Sequence, residues 1–205
     1  MTDKLVMVYD TETSGFRNKN LSYDDKDQAW VVQLAWILGT EERIISCGNF
    51  IINNKIFLEA TDDYIYRTIH PKAAEVHGIS VEDSSQYGHY ENKIACLFLA
   101  DALESDLLVC HNYAFDIEFL KDMIARNYEV NKAIFFAEKP HYCTMKNSTD
   151  YCAIPHGRWR NRFKWPKLTE LHEKLFGCSF DGAHDALEDV RATRKCYYEL
   201  IKLGL

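Results

Sequence analysis

The chain has 205 residues, a formal net charge of −7 and an apolar fraction of 47%, with aromatic residues at 13%. That is enough for a single domain, 1–205, with a core of its own, and the acidic balance excludes a protein that coats nucleic acid by bulk attraction. It leaves open an enzyme that meets phosphate through bound cations, because the acids that hold such cations add to the negative count.

In chain order, Leu5 to Tyr9 reads as a short, all-apolar strand of the kind covered on both faces. After a polar stretch from Phe16 to Gln28, "WVVQLAWILG" and "RIISCGNFII" read as an antiparallel hairpin rich in β-branched and aromatic residues. Between Tyr64 and Ser80, a Pro just inside and a Gly just after mark a short helix. Apolar residues three and four apart from Ser85 to Glu104 predict one long helix, "DLLVC" a buried strand, and "AFDIEFLKDMIARN" a helix entered directly from it. From His141 to Lys167 the pattern is irregular, broken by Pro155, Gly157 and Pro166. "KLTELHEKLFG" and "AHDALEDVRATRKCYYELIKLG" close the chain as two helices stopped by Gly177 and Gly204. The order favours an α/β protein, a mixed sheet flanked by helices.

No apolar stretch approaches a membrane span, and "MTDKLVMVYD" lacks the pattern of a signal peptide, so the expected location is cytoplasmic. Seven scattered cysteines, with no Cys-x-x-Cys pair, read as reduced thiols. His141, Cys143, Cys152 and His156 group four soft ligands, but their spacing matches no common zinc module.

Asp10 and Glu12 in "DTETSG" project from the same face of an extended strand, and two like charges so placed repel unless a cation sits between them. Oxygen ligands suit Mg²⁺ or Mn²⁺; a polar turn is the alternative reading of this stretch taken alone. Asp116 in "HNYAFD" falls in the first turn of a helix at the carboxyl end of a strand, where α/β proteins bind ligands. His184 precedes Asp189 by a step that places them about 140° apart on a regular helix. His184 is therefore expected on or before the first turn, reaching over the site from a loop.

"DTETSG", "HNYAFD" and "HDALED", in that order and spacing, resemble the three motifs of the DEDDh (DnaQ-like) exonuclease family, and "HGIS" at 77 to 80 resembles a further segment of it. The resemblance implies a ribonuclease H-like fold with a mixed five-stranded sheet. It implies a 3′-to-5′ exonuclease that releases nucleoside 5′-monophosphates with two divalent cations, Mg²⁺ or Mn²⁺. Residue by residue, the metal carboxylates fall on Asp10, Glu12, Asp116 and Asp189 and the general base on His184. Asp10 would bridge the ions, with Glu12 and Asp189 on the one that holds the attacking water. Histidine suits the role because it exchanges a proton near neutrality.

For substrate, the resemblance places the backbone of Thr11, Thr13, Ser14 and Gly15 at a terminal 3′-hydroxyl and His77, Ile79, Asn112 and Phe115 around the last bases. A plain core role is the alternative for Ile79 and Phe115. "GRWRNRFKWPK" sets Arg158, Arg160, Arg162, Lys164 and Lys167 among Trp159, Phe163 and Trp165, a mix suited to phosphates and unpaired bases. Its alternative is a loop whose aromatics pack inward while its cations face water. Single-stranded DNA ends are the favoured substrate, with a 3′–5′ exoribonuclease or a polymerase-bound proofreading subunit as alternatives; a homodimer and a replication or repair partner stay open. A haloacid-dehalogenase-type phosphatase also opens with paired acids, but it needs aspartate where Glu12 stands.

Overall fold

A computed structural model describes residues 4–58, 63–157 and 162–205. Strands β1 (Val6–Thr13), β2 (Val31–Gly39) and β3 (Ile44–Ile51) come first, then a small antiparallel pair, β4 (Lys55–Leu58) and β5 (Asp63–Tyr66). Helices α1 (Pro71–His77), α2 (Val81–Tyr87) and α3 (Glu91–Glu104) lead into β6 (Leu107–Cys110). After α4 (Tyr113–Asn127) and α5 (Val130–Ala137) comes a fifth sheet strand, β7 (His141–Cys143). The short α6 (Thr144–Asn147) and α7 (Thr149–Cys152) precede α8 (Leu168–Phe176) and α9 (Ala186–Lys202).

The five-stranded sheet runs β3-β2-β1-β6-β7. β1 to β3 are antiparallel neighbours, and β6 and β7 run parallel to β1 and to each other. This is the mixed sheet expected. Alternation explains its two covered faces. Met7 and Tyr9 of β1 join Phe98, Phe119 and Phe136 from α3, α4 and α5 in the larger core, while Val6 and Val8 face Ala186, Val190 and Tyr197 of α9. β2 is buried along its whole length, as a central strand between two helical layers must be. The parallel β1 and β6 end at the same edge, so whatever follows them meets there.

The β4–β5 pair and α5 were not expected from the sequence, and three further parts differ from it. β1 runs on to Thr13, carrying the motif acids within the sheet. The long helix expected from Ser85 is broken at Gly88, where an added Cβ would lie 2.2 Å from the Ser84 carbonyl oxygen and 2.6 Å from Asn53 Cα. There the chain turns extended, and His89 donates its N–H to the Ile51 carbonyl and accepts from Asn53, both at 2.8 Å. β7 is only three residues long, too short to show periodicity, and is held by its pairing with β6.

A buried polar knot ties these parts together. Glu91, at the start of α3, receives Arg67 at 2.9 Å, Arg126 at 2.9 and 3.2 Å, and Asn127 at 3.1 Å. Burial opposes its charge, but Arg126 and Arg67 outweigh it and hold the carboxyl well below the usual range. Arg126 also donates to the Tyr23 carbonyl at 2.5 Å, and Arg17 grips Asp122 through two bonds of 2.6 and 3.1 Å, so the segment before β2 is fastened to α4. All seven cysteines are free. No helix among the described residues is long and apolar enough to cross a membrane.

Candidate active site

Asp10 and Glu12 stand on the face of β1 that looks toward α9, because they alternate with Tyr9 and Thr11. Thr11, on the other face, donates its hydroxyl to Asp116 Oδ1 at 2.7 Å. Asp116 is 3% exposed in the first turn of α4. It reaches that position because Asn112 takes a left-handed turn, φ 79°, between β6 and the helix. Asn, with its short polar side chain, is among the non-glycine residues that tolerate this conformation best.

From the opposite side comes the start of α9. Asp185 caps it, Oδ1 accepting from the N–H groups of Leu187 (3.0 Å) and Glu188 (3.2 Å). Gln33 of β2 clamps the same turn, accepting from the Ala186 N–H at 3.2 Å and donating to Asp185 Oδ2 at 3.3 Å. His184 therefore lies just before the helix, exposed and left-handed with φ 73°. Its backbone N–H donates to Asp189 Oδ2 at 3.2 Å. This is the pre-helical loop position that the five-residue step requires.

Glu12, His184 and Asp189 each bring a ligand atom within 4.8 Å of the other two. Burial, then Asp189, Asp116 and Asp185, push the Glu12 carboxyl up to about 8. Burial and four neighbouring acids, Asp116, Asp189, Glu12 and Asp185, raise Asp10 well above the usual range. Burial takes Asp116 to about 7 against the pull of the Thr11 hydroxyl, and Asp189 to about 6. Asp189 Oδ1 is buried and has no hydrogen-bond partner. Crowded carboxylates with an orphaned buried oxygen are a poor arrangement for a protein alone and a good one for hard divalent cations.

The other expected residues divide by what holds them. Thr13 donates to the Gly15 carbonyl at 3.0 Å. Ser14 is committed to the fold: its hydroxyl accepts from the Trp30 N–H at 3.0 Å, its N–H donates to the Trp30 carbonyl at 2.9 Å, and its carbonyl accepts from His70 at 2.8 Å. Gly15 then turns with φ 152°. His77 stands near the acids' edge; burial lowers its pKa, as does His184, against the backbone of Thr13. Ile79 belongs to the larger core. Phe115 is half-buried, packed on Phe119 at 5.0 Å and edge-on to Phe16 at 6.5 Å.

Phe16 was not singled out from the sequence, yet it is 90% exposed beside the site. Its position directly after Gly15 was the available signal. Thr11, expected at the substrate, spends its hydroxyl on Asp116. Arg158 and Arg160 lie outside the described residues. The Arg162 carbonyl accepts from the His156 N–H at 2.8 Å, Lys164 Nζ pairs with Glu170 at 2.5 Å, and Phe163 and Trp165 are the exposed aromatics among the described residues of that stretch. His141 stacks on Tyr113 at 3.7 Å and Cys152 packs with Leu171, Cys196 and Leu200. Those soft ligands form no converging group among the described residues.

A family model described as "Exonuclease" matches residues 7–197. Among solved structures, the zinc-ion-bound complex of E. coli exonuclease I with single-stranded DNA aligns over 99% of this chain and 41% of its own, with a TM-score of 0.70 and 19% identity. A second exonuclease I structure aligns over 98% and 41%, with a TM-score of 0.72 and 20% identity. The E. coli enzyme in complex with a dA16 oligonucleotide gives 98% and 41%, a TM-score of 0.70 and 19% identity. The chain thus spans about 41% of the exonuclease I chains it matches, and no curated protein sequence matches it. The strand order is the ribonuclease H-like one, the motif acids and histidine converge at its carboxyl edge in the residue pattern of the DEDDh type, and the chain belongs to the exonuclease family.

Proposed function

We propose that this chain shortens single-stranded DNA from the 3′ end, releasing nucleoside 5′-monophosphates by metal-dependent hydrolysis. The observation that carries the reading is the convergence of Glu12, His184 and Asp189 beside Asp10 and Asp116, with the Asp189 Oδ1 oxygen buried and unpartnered. Asp10, Glu12, Asp116 and Asp189 would hold two divalent cations, Mg²⁺ or Mn²⁺. When bound, such ions stabilise charge on the attacking and leaving oxygens of an in-line displacement at phosphorus.

The chain's own groups do the rest. The His184 imidazole takes the proton of the attacking water, and its exposed place ahead of α9 gives it access to solvent for passing that proton on. Thr11 fixes Asp116 in one rotamer through its 2.7 Å bond. Phe16 and Phe115 offer aromatic edges to unpaired terminal bases, which supports a single-stranded substrate. DNA is favoured because the matched exonuclease I structures include complexes with single-stranded DNA.

The deciding assay presents 5′-labelled single-stranded DNA, duplex DNA and RNA with Mg²⁺, Mn²⁺ or EDTA. A ladder shortening from the 3′ end of single-stranded DNA, only with metal, is the expected result. Shortening in EDTA removes the metal mechanism, and faster action on RNA moves the substrate to the exoribonuclease branch.

A further inference from the structure

We propose that His111 is a positioning residue for the substrate strand: it fastens an arm of residues 154–157 and 162–167 to the active-site edge, so that Phe163 and Trp165 hold single-stranded DNA upstream of the 3′ end being cut. The proposal rests on the exonuclease reading and adds a second contact to it.

The register places the fastening. β6 runs parallel to β1 with Val8 level with Val109, so His111, two residues further on, comes level with Asp10. Directly after it Asn112 turns left-handed and α4 begins, carrying Phe115 and Asp116. The imidazole bridges outward from this point. Nε2 lies 3.0 Å from the Pro166 carbonyl and Nδ1 lies 2.9 Å from the Thr144 hydroxyl. A carbonyl only accepts, so Nε2 carries the proton and Nδ1 accepts from Thr144. Burial keeps the ring neutral, holding its pKa down at about 4 against the pull of that carbonyl. Thr144 is fully buried directly after β7, its hydroxyl also 3.3 Å from the Cys110 carbonyl. One end of a rigid ring is thus fixed in the sheet, and the other holds the arm.

The arm keeps its own shape. His156 donates its N–H to the Arg162 carbonyl at 2.8 Å and Lys164 donates its N–H to the Ile154 carbonyl at 2.9 Å, with Pro155 paired to Phe163 across the two limbs. Glu170 of α8 then accepts from Lys164 Nζ at 2.5 Å and from the Lys167 N–H at 2.8 Å, which pins the exit where the helix starts. What the arm shows to water is aromatic: Trp165 is 61% exposed and Phe163 45%.

These rings sit among Arg162, Lys164 and Lys167 in a chain of net charge −7. Exposed rings among cations suit unpaired bases and their phosphates, whatever the base sequence. Pro166, the residue that His111 holds, follows Trp165 directly, so the imidazole sets how far that ring stands from Phe115 and Asp116. A strand whose last bases meet Phe16 and Phe115 reaches Trp165 next. Fixing the arm before the strand arrives lowers the entropy lost on binding.

The test compares an oligothymidylate of four nucleotides, too short to reach the arm, with one of twenty. KM and kcat are read with Mg²⁺, and binding of the 5′-labelled long strand is read by fluorescence anisotropy with Ca²⁺ in its place. His111→Phe keeps the ring's bulk and loses both hydrogen bonds. It should raise KM for the long strand at least about fivefold, the loss of one stacked base, with kcat kept and both constants for the short strand little changed. Trp165→Ala should do the same, with the double variant no worse than either single one. His111→Gln, which keeps a donor and an acceptor, should recover most of the affinity. If His111→Phe melts too low to assay, Thr144→Val, which removes the hydroxyl that orients the imidazole, carries the same expectation. An unchanged long-strand KM in the folded variants, equal losses on both strands, or additive effects in the double variant overturn the proposal. A chain that binds the long strand but cuts neither overturns the exonuclease reading instead, and the anisotropy series then judges His111 by the same fivefold criterion.

Discussion

Replacing Glu12 by Gln should stabilise the metal-free protein while disabling it. The carboxyl rises from an ordinary 4.5 to about 8 in the fold. Ionising it is thus harder folded than unfolded, so the stability it permits is complete below about pH 4.5 and is lost as pH climbs through about 8. At about 1.36 kcal/mol per pH unit, the bound at pH 8 is about 4 kcal/mol; its half-buried setting reduces this to roughly 2–4 kcal/mol. Glutamine keeps the shape and never ionises. For a chain of this size each kcal/mol moves Tm by about 2–4 °C, so Glu12→Gln should melt roughly 5–15 °C above wild type at pH 8 in EDTA. At pH 5 the gap should shrink to within about 3 °C. Added Mn²⁺ should raise the wild type more than the variant and close the gap. Thermal scans in EDTA at both pH values decide the matter. A gap that is absent at pH 8, or equal at pH 5, would refute the electrostatic account of this cluster.

Asp116→Ala or His184→Ala should each lower turnover at least about a hundredfold with circular dichroism unchanged; near-wild-type rates would remove the residue from its role. Thr11→Val deletes the donor to Asp116 and should cost about 1.5–3 kcal/mol of carboxylate positioning, seen as a higher Mg²⁺ concentration for half-maximal activity. An unchanged metal requirement would make that hydroxyl purely structural. Glu91→Ala leaves Arg67 and Arg126 buried without their partner and should cost about 3–5 kcal/mol in urea unfolding. A loss below about 1 kcal/mol would show that the knot contributes little.

The residues that were legible in the sequence share a property: their signal is local. The β2–β3 hairpin shows in β-branched runs, and α1, α8 and α9 end at Gly78, Gly177 and the turn at Gly204, all with positive φ. Asp10, Glu12, Asp116, His184 and Asp189 were legible because three short motifs kept their order. What was hidden depends on distant partners. The break at Gly88 is forced by Asn53 and the Ser84 carbonyl, against a helical pattern that continues through it. β7 exists because β6 offers it an edge. Ser14, read from the motif as a substrate group, also splices Trp30, His70 and β1 together, a role no spacing reveals.

The site's parts come from widely separated places in the chain. Asp10 and Glu12 lie on the first strand, whereas His184 stands in the turn just ahead of α9 and Asp189 within that helix, which follows every other element described. A chain still emerging from the ribosome carries the strand of acids well before it carries the histidine, so the cluster is complete only once α9 has been made and has packed on β1. The reverse holds during turnover: one proteolytic cut ahead of His184 removes the histidine and Asp189 together and leaves Glu12 without either neighbour.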